Sequence, residues 1–467
     1  MSRDIYLGTD KQSGQAIRLP RSLIQSGHTV IRGMTGSGKT SKIIIPAVQQ
    51  LMQSYEDETG ELRRDAIVII DLGGDQNAFH RTWEAAERMK RKFRFLSLEA
   101  NDDTAYFPAL QFLAEAADPV FVATHLVNSF HLDFGLVYGA MYFAYQSLAA
   151  LHNVAGALIE ETQVPTLKDV ARFLESSQNK RQFKDADQIR TIFQFLAEYP
   201  QLGFDPAGNS DNEILLTRAI EDAEVLYFFL PSLQHSMIAR LVAGLALFST
   251  VTSQIQRYSQ RAPRRHVYLS VDEFQEIVGT GLSRLLAQTR KYDITMLLAH
   301  QATSQLENRD TQLADTVFEG TNVKIYFTCV GERDTRELQA LSKDKVRKLR
   351  AKSDAPLATS EQLQVVPKLE RDDIMEVSST ADDAFLLIND GKGHHEPMVM
   401  RTAHDVSVAK FRELKNKPLP QREKPVPSRE REVFTRSDPA RPQRRQAAIA
   451  QCIEAILKER QWENDTP

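Results

Sequence analysis

The chain has 467 residues, 42% hydrophobic and 26% charged, so it can bury a sizeable core and is neither a small module nor a disordered segment. At roughly 150 residues per domain, two or three domains are expected. Its 58 basic and 62 acidic side chains leave a net charge of −4, which excludes nucleic-acid binding through bulk positive charge and requires any such contact to come from a local patch.

Taken in chain order, short apolar runs broken by Gly8, Gly14 and Pro20 predict a strand-rich start over Asp4–Pro20. His28–Arg32 reads as a strand ending at glycine, and a helix is predicted after Ser41. Between them, Gly33-Met-Thr-Gly-Ser-Gly-Lys-Thr40 fits G-x-x-x-x-G-K-[ST] in full and in the required strand–loop–helix context. In such a loop the backbone of Gly33, Thr35, Gly36, Ser37 and Gly38 curls so that successive N–H groups point at phosphates, and the start of the helix adds positive partial charge. Lys39 should bridge the β- and γ-phosphates and the Thr40 hydroxyl should ligate Mg2+, which makes ATP and Mg2+ the expected ligands.

Ala66–Asp71 is a continuous apolar run suited to a strand buried on both faces, and Phe93–Leu98 is a second. Strands alternating with helices predict a mostly parallel α/β sheet. From about residue 118 to 221 helical spacing takes over, as at Ala123, Leu126, Val127 and Phe130, so an all-α insertion is expected. Strand patterns resume at Val225–Leu230, closed by Pro231, and continue at Val267–Val271, Ile294–Leu298, Val323–Phe327 and Ala384–Ile388. One sheet is therefore expected from both sides of the insertion, with the core divided into residues 1–117 and 222–403.

Beyond Ala403, residues 404–467 interleave Pro418, Pro420, Pro425, Pro427, Pro439 and Pro442 with basic residues, which predicts an extended tail. Ile449, Cys452, Ile453 and Ile456 share one face of a predicted terminal helix. The two cysteines, Cys329 and Cys452, form neither a metal-ligand spacing nor a disulfide framework, which suits a reducing cytoplasm. No signal peptide is read at the N-terminus, and charge or polarity interrupts every apolar run before about 18 residues, so no bilayer-spanning segment is expected.

The chemistry depends on a second acidic element. His266–Glu273 places Asp272 and Glu273 at the carboxyl end of an apolar strand, where Asp272 can hold the Mg2+ shell and Glu273 can take a proton from an attacking water. Asp71 also ends a strand, but Leu72 follows it where the base is needed. A helix over Gly281–Lys291 returns the chain to a parallel strand, so Gln301 beyond that strand should share an edge with the acid pair, where it can sense the γ-phosphate or orient water. Arg290, at the far end of the same helix, should lie toward the opposite edge, too far from its own phosphate loop to touch it. If it is an arginine finger it acts in trans, and the enzyme is a ring.

Together these elements resemble the VirD4/TraG/TraD coupling ATPases of type IV secretion and conjugation, within the wider HerA/FtsK group of RecA-like DNA pumps. The resemblance extends from about Tyr6 to Arg401. Besides the phosphate loop, the acid pair and Arg290 through Gln301, it rests on Ile43–Pro46, Ile69–Asp75, Tyr106–Pro108, the helical insertion and Phe228–Pro231. Pro46 removes one helical hydrogen bond and is expected to kink the helix behind the phosphates. The resemblance implies Lys39 and Thr40 as nucleotide ligands, Asp272 and Glu273 as hydrolytic acids, Gln301 as sensor and Arg290 as candidate finger. It also implies a hexamer with DNA in a central channel.

Coupling proteins of this family usually carry transmembrane helices ahead of the nucleotide domain, whereas the phosphate loop here arrives at Gly33 with none read before it. A cytoplasmic chain is the expectation; it could dock on a membrane-bound partner through the basic tail with Arg441, Arg444 and Arg445, although that tail is read first as a solubilising segment. The first functional reading is a cytoplasmic DNA-translocating ATPase of a conjugative or type IV secretion system, with relaxosome or secretion partners. A HerA-like translocase paired with a nuclease is an alternative, and an ATP-gated receptor for protein cargo is another. Gly331–Arg336 reads as a charged loop that can present Arg333 or Arg336 at an interface, and His394-His395 reads as a turn.

Overall fold

The apolar runs meet in one eleven-stranded sheet in a computed structural model of the chain. The structure describes residues 4–422 apart from residues 58 and 234 and segments 116–117, 133–139, 160–163, 183–186, 308–312, 328–330 and 353–358. The strands are β1 (Asp4–Asp10), β2 (Ala16–Pro20), β3 (His28–Arg32), β4 (Ala66–Asp71), β5 (Phe93–Ser97), β6 (Val225–Phe229), β7 (Val267–Asp272), β8 (Ile294–His300), β9 (Thr321–Tyr326), β10 (Asp383–Ile388) and β11 (Met398–Arg401). Their order is β2-β1-β11-β10-β9-β3-β8-β7-β4-β6-β5. From β9 to β5 all neighbours run parallel. The other end is closed by antiparallel pairs through β10, β11, β1 and β2. A single sheet is thus built from both sides of the helical segment, as expected.

Strands β3, β4, β6, β7 and β8 are buried along their whole length, which is why they read as unbroken apolar runs. Alternate residues feed two cores. On one face Val68, Ile70, Phe228, Val267 and Leu298 pack with the helical segment through Val122, Leu126 and Phe193. On the other, Ile67, Ile69, Tyr227, Tyr268 and Leu297 pack against the helices Ile45–Leu51 and Gln76–Arg88, through Val48 and Phe79. Among the described residues between 118 and 221 every regular element is a helix. The first, Pro119–Ser129, is capped by the Asp118 carboxylate, which accepts from Val120 N–H.

Several local expectations are corrected. The helix after the phosphate loop starts at Lys39 rather than beyond Ser41, and its first turn, Lys39–Ile44, is a π-helix. The α-helix Ile45–Leu51 then begins with Pro46 in its first turn. Pro46, expected to kink the helix, stands instead where proline is tolerated, just past the widened π-turn. Glu332–Leu341 is a helix, so Arg333 and Arg336 lie on it and not on a loop. There Arg336 pairs with Glu332 at 2.5 Å, and Arg333 pairs with Asp315 and Glu337.

Part of the segment read as an extended tail is also helical. Val408–Lys415 forms a helix capped by Ser407, whose hydroxyl accepts from Lys410 N–H at 3.2 Å. It packs on the helix Gln76–Arg88, with Lys410 3.4 Å from Glu84. Among the described residues, 101–103 and 420–422 form a separate small unit, in which Asp103 N–H donates to the Pro420 carbonyl at 2.8 Å. Arg441, Arg444, Arg445 and the predicted terminal helix lie outside the described residues. His394 and His395 sit in a turn between β10 and β11, where His395 is 3.0 Å from Asp390.

One long helix passed unremarked in the sequence. Ser236–Ser259 has 24 residues and is apolar enough to cross a membrane by length and composition, but 78% of its apolar window is buried inside the fold. It is the central helix of the face that carries the helical segment.

Candidate active site

The phosphate loop follows β3, and its N-terminal amide is fixed where Gly33 N–H donates to the His300 carbonyl. Gly38 adopts φ +99, a left-handed conformation that strains any residue with a side chain, so the backbone itself requires glycine. Thr35 and Gly36 are exposed at the crest of the loop. Lys39 folds back over it, with Nζ donating to the Gly33 carbonyl at 2.7 Å and the Met34 carbonyl at 3.4 Å. The Ser37 hydroxyl is buried beneath the loop with no hydrogen-bond partner.

The parallel register brings the acids to this loop. Arg32 of β3 is opposite His300 of β8, Leu298 is opposite Val271 of β7, and Asp272 is opposite Asp71 of β4. The carboxyl ends of four strands are thereby level. The Thr40 hydroxyl donates to Asp272 Oδ2 at 2.5 Å, and Asp272 Oδ1 accepts from Glu273 N–H at 3.0 Å. Glu273 has φ 54, a left-handed conformation that is uncommon for a residue with a side chain and is found where surrounding structure imposes it. Its Oε1 lies 3.9 Å from Lys39 Nζ, while Oε2 accepts from Gln301 Nε2 at 2.9 Å and from Gln275. Lys39 and Thr40 thus cluster with Asp272, Glu273 and Gln301, which lie more than 200 residues later in the chain.

Asp71 is held differently. Its carboxylate accepts from Gly74 N–H at 2.8 Å, Asp75 N–H at 3.0 Å and the Tyr227 hydroxyl at 2.8 Å, which shapes the turn after β4. Leu72, next along, is buried. Burial, with the charges of Asp272 and Asp75, pushes the Asp71 carboxyl up to about 7. Burial likewise lifts Asp272 to about 6 against the opposing bond from Thr40.

A raised carboxyl pKa means that the fold favours the protonated form of Asp71. In metal-free protein its contribution to stability is full below about pH 4 and is lost as pH rises through about 7. The melting temperature in chelator should therefore fall between about pH 4 and 7. Asp71→Asn should reduce that slope, leaving the smaller contributions of Asp272 and Asp65, each of which burial raises to about 6. An unchanged slope in the variant would place the titration elsewhere.

The residues present fit a magnesium triphosphate. The glycine turns expose backbone amides, Ser37 holds an unpartnered hydroxyl, and Lys39 rests on carbonyls it can leave. Thr40 and Asp272 supply the oxygen ligands that Mg2+ prefers.

Arg290 is not brought to this cluster. It lies exposed in the short 3-10 turn Thr289–Tyr292, before the start of β8. His28, at the start of β3, donates from Nε2 to the Leu286 carbonyl at 2.9 Å, and its ring feels the Arg290 charge. The length of β3, about 15 Å at roughly 3.3 Å per residue, separates this end from the phosphate loop. Arg290 is therefore at the opposite edge of the sheet, as the crossover predicts.

Sequence reasoning missed Arg32. It is the last residue before Gly33, is buried, stacks 3.6 Å over Tyr326 and bonds Thr303, Asp334 and Glu337, the last at 3.0 Å. Its signal was a cation ending an otherwise apolar buried strand.

Residues 266–379 match the family described as the TraM recognition site of TraD and TraG. No curated protein sequence matches the chain. Among solved structures, the unbound conjugative coupling protein TrwBdeltaN70 is similar at 15% identity and TM-score 0.57, over 90% of this chain and 91% of that one. TrwB in complex with the non-hydrolysable ATP analogue ADPNP matches at 14% identity and TM-score 0.58, over 87% and 91%. VirB4 of Thermoanaerobacter pseudethanolicus matches at 14% identity and TM-score 0.53, over 88% and 98%. The resemblance to VirD4/TraG/TraD-type coupling ATPases is thus borne out, in the matched segment and in the RecA-like P-loop fold.

Proposed function

From the fold of a coupling ATPase as premise, we propose that this chain hydrolyses ATP with Mg2+ and works as a ring motor that moves DNA in a conjugative or type IV secretion system. The observation that carries this reading is the meeting of Lys39, Thr40, Asp272, Glu273 and Gln301 at the level carboxyl ends of β3, β7 and β8. A fold that only binds nucleotide has no need of a carboxylate beside the loop with an amide fastened to it. TrwB has been solved with ADP and Mg2+, which supports the same ligands here.

In this reading the loop amides and Lys39 bind the phosphates, Lys39 exchanging the Gly33 and Met34 carbonyls for β- and γ-oxygens. Bound magnesium, held by Thr40 and Asp272, would offset negative charge on those oxygens. Glu273 orients the attacking water and takes its proton. Gln301, bonded to Glu273 Oε2, reports the state of the γ-phosphate to β8.

Arg290 serves the nucleotide of a neighbouring copy, because its own loop is a strand's length away. Such head-to-tail contacts close into rings, and a hexamer around DNA is the assembly this reading adopts. The match to a TraM recognition segment favours conjugation over a nuclease-paired role, with relaxosome or secretion proteins as partners. The chain is placed on the cytoplasmic side of the membrane, attached peripherally through a partner.

ATP turnover measured with and without DNA tests the reading. Stimulation by DNA is expected, whereas DNA-insensitive hydrolysis together with tight binding of a secreted protein would favour a docking receptor.

A further inference from the structure

The net charge of the chain is −4, so a DNA motor built from it needs a concentrated basic element. Outside the main sheet, Asp344–Lys352 and Thr359–Pro367 pair antiparallel over nine residues each and form a two-stranded sheet of their own. Among the described residues no other element packs closely on this ribbon. The first strand carries Lys345, Arg347, Lys348, Arg350 and Lys352 against the single acid Asp344, and the second carries only Glu361 as a charged residue. Val346 and Val365, opposite one another, are 65% and 66% exposed. At roughly 3.3 Å per residue the ribbon is about 30 Å long, enough to follow several nucleotides.

Its root is tied to the nucleotide site. Lys368 N–H donates to the Lys343 carbonyl at 2.7 Å and Leu369 N–H to the Ser342 hydroxyl at 3.2 Å, closing the base of the hairpin. Lys345 is anchored there by Glu370 at 2.8 Å. The helix that leads into the base, Glu332–Leu341, carries Asp334 and Glu337, both bonded to Arg32. Arg32 directly precedes Gly33 and also bonds Thr303, two residues beyond Gln301. One buried guanidinium therefore joins the phosphate loop, the segment after the sensor amide and the helix that ends in the ribbon.

We propose that this basic hairpin is a DNA-contacting element of the motor, binding the sugar-phosphate backbone through Arg347, Lys348, Arg350 and Lys352, with Arg32 transmitting nucleotide state to its root. The proposal rests on the DNA-motor reading and deepens it by naming the element that touches DNA. A two-stranded ribbon with five cations in one strand complements a polyanion, and the exposed Val346 and Val365 suit packing against sugars.

The test uses the full chain and fluorescent DNA oligonucleotides, single-stranded and duplex in separate arms, titrated over a range of salt. Substituting Arg347→Glu, Lys348→Glu and Arg350→Glu together should weaken DNA binding at least about tenfold and reduce the salt slope by about one for each phosphate no longer neutralised. Arg347→Gln and Arg350→Gln should give a graded weakening. An unchanged melting temperature and affinity for an ADP analogue would establish that these variants are folded. Wild-type protein that binds DNA while the triple variant binds equally would overturn the hairpin assignment and leave the motor reading standing. Wild-type protein that binds no DNA in either arm would sink the motor reading and this proposal with it.

Discussion

Glu273→Gln should leave ATP bound and reduce turnover by about 10²- to 10⁴-fold, the range that one positioned general base contributes. Glutamine matches glutamate in size and can keep an oxygen toward Gln301 and Gln275, so the cluster around it should persist. It cannot take a proton from water. The affinity for a non-hydrolysable ATP analogue should therefore change little while kcat collapses, the pattern of an interaction used only in the transition state. The left-handed backbone at Glu273 makes the substitution informative, since both residues inherit the same conformation. Steady-state turnover and analogue titration on one preparation decide the matter, and a variant within a few-fold of wild type would move the base elsewhere.

Arg290→Ala should also be nearly inactive by itself, with a loss of about 10³-fold or more if it acts as an arginine finger. Its place at the amino end of β8 determines how that loss is repaired. A subunit lacking Arg290 retains an intact phosphate loop, and a Lys39→Ala subunit retains its arginine, so mixing the two inactive proteins should restore activity at shared sites. Rescue that depends on the mixing ratio supports trans action. Complete absence of rescue, with both variants assembled, would count against a site shared between copies.

Much of this site was legible before any fold was known. The glycine loop has a sequence dictated by backbone geometry, and Asp272-Glu273 stands at the end of a run that only a buried strand explains. The position of Arg290 followed from the handedness of a single crossover. What remained hidden was set by partners distant in sequence. Met398–Arg401 is too short for its alternation to register, yet it pairs with both β1 and β10 and so joins the first strands to the sheet. Val408–Lys415 looked like linker because prolines follow it, although Ser407 caps it and Val408, Phe411 and Leu414 recur at near-helical spacing. The π-turn at Lys39–Ile44, just ahead of Pro46, is a winding that propensity does not specify. In the hairpin at 344–367, closely spaced cations masked the period of two that marks a strand.

The central claim is that Mg2+ and a triphosphate sit between Thr40 of the phosphate loop and Asp272 of β7. Titrating a fluorescent ATP analogue with and without Mg2+ into wild-type protein and Asp272→Ala tests it most directly. Wild type should bind more tightly with Mg2+, and the variant should lose that enhancement while keeping its metal-free affinity. An undiminished magnesium effect in Asp272→Ala would contradict the account.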